Sequence, residues 1–212
     1  MSSEVNSGIG ALLARDIPAW RAAFPWLDVR SNDVHTLISY RIARALLALH
    51  ETAHAPTVCT AIIFHDVGWK KIPEDKLAAS VGPNPKYPEL QRVHELEGVE
   101  ITRPLLRELQ IPDVDPDAVL AIIDGHDTRK HAISLEDALM KDADKLWRFT
   151  PHGVATISRW FELTPRATVA MLEDFVLPSL LTAPGKTMAQ AYLADGEAAV
   201  WMDDMLAVGT AA

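Results

Sequence analysis

Apolar residues recur along most of this chain at helical spacing, and nowhere do they alternate with polar ones for long enough to predict a strand. Val34, Leu37, Ile38, Ile42, Ala45, Leu46 and Leu49 form one helical stripe behind Asn32 and Asp33, either of which can cap its start. Ala55-Pro56 marks a break, and Pro56 suits the first turn of a second helix through Val58, Ile62 and Ile63. A third begins at Pro88 or Glu89 and runs through Leu90, Val93, Leu96, Val99, Ile101, Leu105 and Leu109, with Pro104 predicting a kink or break inside it. Asp115-Pro116 opens a fourth along Val119, Ile122 and Ile123. Ser134, with Asp137 three residues on, opens a fifth along Leu135, Ala138, Leu139, Ala143, Leu146 and Trp147. Further helices are expected over 152–163, 165–182 and 187–206. Residues 1–15 read as a loose start leading into a short helix, and Trp20, Phe24 and Trp26 as a cap on one end of the core. Pro73, Pro83, Pro85 and Pro88 predict a long loop over 69–88 with one helical turn at 74–79, suited to a lid or substrate entrance. The expected fold is all-α, an irregular helical bundle with 1–212 in a single domain and the Pro-rich loop inserted on one side.

The most apolar stretch ends abruptly. Ala61-Ile62-Ile63-Phe64 runs into His65-Asp66 and then Val67-Gly68, where Gly68 offers the helix a stop. Burying an unpaired carboxylate is costly, and a divalent cation that takes a nitrogen from His65 and an oxygen from Asp66 removes that cost. His35, His94, His126 and Asp144 each fall on a different predicted helix or helix end. Side chains projecting inward from facing helices are how helical bundles build metal sites.

The ordered set resembles the HD-domain superfamily of metal-dependent phosphohydrolases. The resemblance is carried by His35 in Asp33-Val34-His35-Thr36-Leu37, by His65-Asp66 in Phe64-His65-Asp66-Val67-Gly68, and by Asp144 in Lys141-Asp142-Ala143-Asp144-Lys145-Leu146. His94 and His126 match the extra histidines of members that hold two metals. It spans about 33–149, leaving 150–212 as further helices packed on that core. The resemblance implies one or two divalent metals per chain (Mn, Fe, Zn, Ni or Mg). His35, His65, Asp66 and Asp144 would hold the first, and His94 and His126 the second, with Asp66 bridging. It also implies hydrolysis of a phosphate ester, of a nucleotide or another small phosphate, by metal-activated water. Asp66, His94 and His126 would be the catalytic positions, the two histidines assisting proton transfer if one metal is bound. Asp142 rivals Asp144 but lies about 200° around the same helix. Asp127 stands where some two-metal relatives carry another histidine, so a three-histidine second site is not expected. Of the basic residues near the ligands, Lys70, Lys130 and Lys145 are candidates for a substrate phosphate, with Lys71 and Arg129 beside them, although solvated surface is the ordinary fate of each.

Other chemistries compete. His50-Glu51-Thr52-Ala53-His54 matches the zinc-protease pattern HExxH, but Pro56 follows at once and the segment falls in a connector, so His50 and His54 are expected in an exposed turn. The same six ligands also serve relatives that activate oxygen with two irons, because ligand type alone does not select the metal. A non-catalytic module that binds a metal or nucleotide is the remaining alternative.

Composition narrows the partners. A net charge of −9 argues against a nucleic-acid polymer and leaves room for a local basic pocket. The single cysteine, Cys59, sits in an apolar run and fits a core residue in a reducing, cytoplasmic setting. No signal-peptide pattern or membrane-length apolar run is visible. The helices after 150 are expected to close the pocket or to form a homodimer face.

Overall fold

The computed structural model describes residues 12–82 and 84–210; residues 1–11 of the loose start expected over 1–15, and the loop's Pro83, lie outside the described residues. The helices are α1 Ile17–Ala23, α2 Asn32–Leu47, α3 Ala55–Phe64, α4 Glu74–Leu77, α5 Glu89–Leu109, α6 Pro116–Ile123, α7 Leu135–Leu146, α8 Pro151–Phe161, α9 Pro165–Met171 and α10 Ala183–Thr210. Short 3-10 turns link several of them, and Leu172–Val176 is a π-helical segment. No strand occurs among the described residues, so the chain is an all-α bundle. No described helix is long and apolar enough to cross a membrane.

α3 is the centre. Every residue from Thr57 to Phe64 is buried, and α1, α2, α6 and α7 surround it. Four helices, α6 to α9, start where local chemistry satisfies one of the first free backbone N–H groups. Asp115 accepts from the Asp117 N–H, Ser134 from Asp137, Thr150 from Gly153 and Thr164 from Ala167. α5 crosses α6 and the 3-10 turn Val67–Lys71, while α10 packs against α7 and α9.

Several local expectations need correction. Neither Asn32 nor Asp33 caps α2: Ser31 occupies that position in the left-handed region and makes no side-chain cap bond. The buried face of α2 is also rotated from the expected stripe. Val34 and Leu49 are exposed, whereas His35, Thr36, Ser39, Tyr40 and Ile42 are buried, because this helix faces polar chemistry as well as core. Pro104 does not end α5, which runs through it; Pro104 and Glu100, whose carbonyl loses its partner, both lie on the solvent side. Gly68 does not stop α3, which ends at Phe64. Its role is close approach, since a Cβ there would overlap the backbone carbonyl of His94 on α5. The expected helix over 165–182 is instead α9, the π segment and a 3-10 turn at Leu177–Ser179.

Candidate metal centre

The structure brings His35, His65, Asp66, His94, His126 and Asp144 together, all buried. His35 comes from the first turn of α2, His65 and Asp66 directly follow α3, and His94 lies near the start of α5. His126 sits in the turn after α6, and Asp144 near the end of α7. The imidazoles meet in pairs: His35 Nε2 is 3.0 Å from His65 Nε2, and His94 Nε2 is 3.2 Å from His126 Nε2. Asp144 Oδ1 stands 3.2 Å from His35 Nε2 and 3.6 Å from His65 Nε2. Asp66 lies between the pairs, with Oδ1 at 3.5 Å from the Nε2 of both His65 and His126, and Oδ2 at 3.4 Å from His35 Nε2. Such donor groups could hold metal ions, and three overlapping ones occur among the described residues: His35, His65 and Asp144; His65, Asp66 and His126; His94, His126 and Asp127.

Surrounding groups aim these ligands. The carbonyls of Ile62 and Ile123 accept from His65 Nδ1 at 2.8 Å and from His126 Nδ1 at 2.9 Å, which directs each Nε2 toward the centre. Trp69 Nε1 donates to Asp66 Oδ1 at 3.1 Å, and its ring stacks on His94 at 4.0 Å. Buried Glu95 accepts from the Asp127 and Thr128 backbone N–H groups, from the Thr128 hydroxyl and from Arg92, which ties the His126 turn to α5. Arg148 donates to the carbonyl and to Oδ2 of Asp144.

The electrostatics keep the carboxylates ionised. Burial alone would raise Asp66, but His65, His126, His35 and His94 hold it well below the ordinary value. Burial likewise opposes ionisation of Asp144, and Arg148 and His35 outweigh it. Burial and the neighbouring His126 push His94 down to about 4. His126 is also disfavoured by burial, yet Asp66 and Asp127 raise it to about 10.

Above the centre lies a cavity of about 300 Å³, with His35, Asp66, Asp127 and Asp144 in its wall. Residues of α8 and the π segment also line it, as do Val81 and Gly82 of the Pro-rich loop. Gly82 has φ +97°, and a Cβ there would come within 2.7 Å of the Phe161 ring. Of the candidate phosphate contacts only Lys145 lines the cavity, its Nζ donating to the Ser179 carbonyl at 3.0 Å. Lys70 is paired with Asp28 on the surface, and Lys130 is exposed. Arg129 is taken up by the Asp124 and Ala121 carbonyls and by Asp137. Asp142 points away from the centre and accepts from the Leu181 and Thr182 backbone and the Thr182 hydroxyl, pinning the approach to α10. The HExxH segment follows the end of α2 and precedes α3, so it has no helix to put both histidines on one face; His54 is exposed and His50 half-buried. Cys59 is buried and burial pushes its thiol up to about 11, the behaviour of an inert core residue.

Sequence reasoning passed over four residues. Asp127 Oδ2 lies 3.6 Å from His94 Nε2 and 3.9 Å from His126 Nε2, so a carboxylate stands beside the second histidine pair. Its signal was adjacency to His126. Arg148, four residues after Asp144, was readable as a helical ion pair. Arg30 and Asn32 also line the cavity, and nothing local in the sequence marks them as doing so.

A family model described as HD domain matches residues 33–148, more than half of the 212-residue chain. No curated protein and no solved structure gives a match.

Proposed function

The chain belongs to the HD-domain family, and from that premise we propose that it is a metal-dependent phosphohydrolase acting on a small phosphate ester. The observation that carries this reading is the meeting of buried imidazole nitrogens and carboxylates beside a cavity that is lined by His35, Asp66 and Asp144 and also by Arg30, Lys145 and Arg148. The nitrogen and oxygen donor set suits divalent cations such as Mn, Zn, Fe or Ni. His35, His65, Asp66 and Asp144 would hold one, and His94 and His126 a second, with Asp66 shared and Asp127 beside it. Bound there, divalent metal supplies Lewis acidity toward a phosphoryl oxygen and toward the attacking water.

The chain's own residues then have distinct tasks. Protons on Nδ1 of His65 and His126 are held by backbone carbonyls, which keeps both Nε2 atoms available as donors of a lone pair. Trp69 fixes the rotation of the Asp66 carboxylate through its indole N–H. Lys145 and Arg148 face the cavity and would balance the charge of a bound phosphate. With a single metal bound, His94 and His126 are the groups placed to accept or return a proton at Nε2.

The test is metal content of protein purified without added metal, followed by phosphate release from a panel of phosphomonoesters and nucleotides with Mn, Zn, Ni or Mg. Phosphate release that needs the metal is expected. Iron retention with substrate-dependent oxygen uptake and no phosphate release would replace this reading with an oxygenase.

A further inference from the structure

We infer that the cavity selects phosphate monoesters whose organic group is apolar or aromatic, over esters of sugars and other polyols. This inference rests on the phosphohydrolase reading for the reaction and on the cavity itself for the selection.

The end nearest the metal centre is built for an anion. Arg30 lies with its guanidinium 4.5 Å from the centre of the Trp69 ring and 4.8 Å from that of Trp160, and makes no hydrogen bond or ion pair among the described residues. It feels the charges of Asp66, Asp127 and Asp144 without touching them. A cation ordered between two indoles, close to the centre and lacking a carboxylate partner, is suited to an incoming acidic group. Arg30 and Ser31 both have positive φ, at 54° and 59°, a costly conformation for side chains other than glycine and one that gathers at functional sites. Asn32 follows directly. It is 3 % exposed, lines the cavity, and its Nδ2 has no partner. A buried amide donor left open in this way needs an acceptor, and a phosphoryl oxygen provides one.

The rest of the lining is largely apolar. Ile157, Phe161, Met171, Phe175 and Val176 contribute to it. Ser179 Oγ donates to the Val176 carbonyl and Gln91 Nε2 to that of Ser80, so each spends a donor within the protein. Sugar hydroxyls brought against this largely apolar lining would leave water for few partners, whereas an aryl group loses nothing and gains contact. Phe175 stands 66 % exposed on the π segment, a local distortion that recurs at functional sites, and it reaches the cavity from there. The volume, about 300 Å³, suits a small ester.

The experiment measures binding directly, by calorimetry on the metal-loaded protein with two non-hydrolysable probes, phenylphosphonate and methylphosphonate. The wild type is expected to bind phenylphosphonate at least about tenfold more tightly. Phe175→Ser should close that gap and leave methylphosphonate unchanged. Arg30→Met should weaken both probes by roughly tenfold or more, and Arg30→Lys should recover part of the loss. Asn32→Leu should also weaken both, and it serves if the Arg30 variants fail to fold. Equal affinity for the two probes, or unaltered methylphosphonate binding in a folded Arg30→Met or Asn32→Leu, would overturn the inference. Metal-dependent cleavage of esters together with equal affinities would remove the selection and leave the hydrolase. Tighter phenylphosphonate binding with no ester cleaved would remove the hydrolase and leave the cavity assignment.

Discussion

The two halves of the metal centre are held in place by different means. His35, His65 and Asp144 come from α2, the end of α3 and α7, helices that pack directly on one another, and His35 and Asp144 stand in the cavity wall. His94, His126 and Asp127 depend on one turn of α5 and on an irregular segment after α6. Of these only Asp127 reaches the cavity, while His94 is stacked against Trp69. The first half is positioned by helix packing and open to a ligand. The second is closed, and its turn hangs on one buried carboxylate, Glu95, with four accepted hydrogen bonds. The open half is thus the one a ligand in the cavity can reach, and the closed half is exposed to changes at residues outside the cluster, Glu95 above all.

The comparison can be broken most severely at the one residue common to both halves. Asp66→Ala is expected to lose all bound metal and all activity, and retention of two metals by elemental analysis would show that Asp66 is not shared. His94→Ala should empty only the closed half, so that metal content falls from near two per chain toward one. An unchanged content would move the second site elsewhere. Glu95→Gln keeps the shape of the side chain but removes its charge, loosening the Asp127 and Thr128 backbone. Second-metal affinity should drop by roughly 10–100-fold with the first unaffected, read by titration with a chelator. Equal weakening of both metals would mean that the halves are not separately supported. The smallest effect belongs to His50→Ala with His54→Ala, expected to leave metal and activity intact; a large loss of either would return the HExxH segment to consideration.

Much of the framework was legible because the signals are local. Asp115, Ser134 and the prolines at helix starts act within two or three residues of themselves, and the helices begin where these residues place them. The six candidate positions were also legible, since a histidine or aspartate at the edge of an apolar stretch is conspicuous whatever it later meets. The angle between Asp142 and Asp144 kept them off one face and the family resemblance favoured Asp144, and the structure sends them to opposite tasks. The register of α2 was misread because hydrophobicity was taken as the guide to burial. That helix turns polar His35, Thr36 and Ser39 inward, and His35 joins the centre.

Sequence by itself determined the helical class, the placement of most helix starts and which histidines and aspartates stood out as candidates, because each depends on residue type and short spacing. The tertiary structure alone decided the rest. Asn32 became an open donor in a cavity instead of a cap, Arg30 came to rest against Trp160, and Lys70 turned to Asp28. Glu95 reached across to the turn after His126, and Asp142 to the approach of α10. These outcomes join groups far apart in the chain, and what a polar side chain does once buried depends on which distant partner the packing delivers to it.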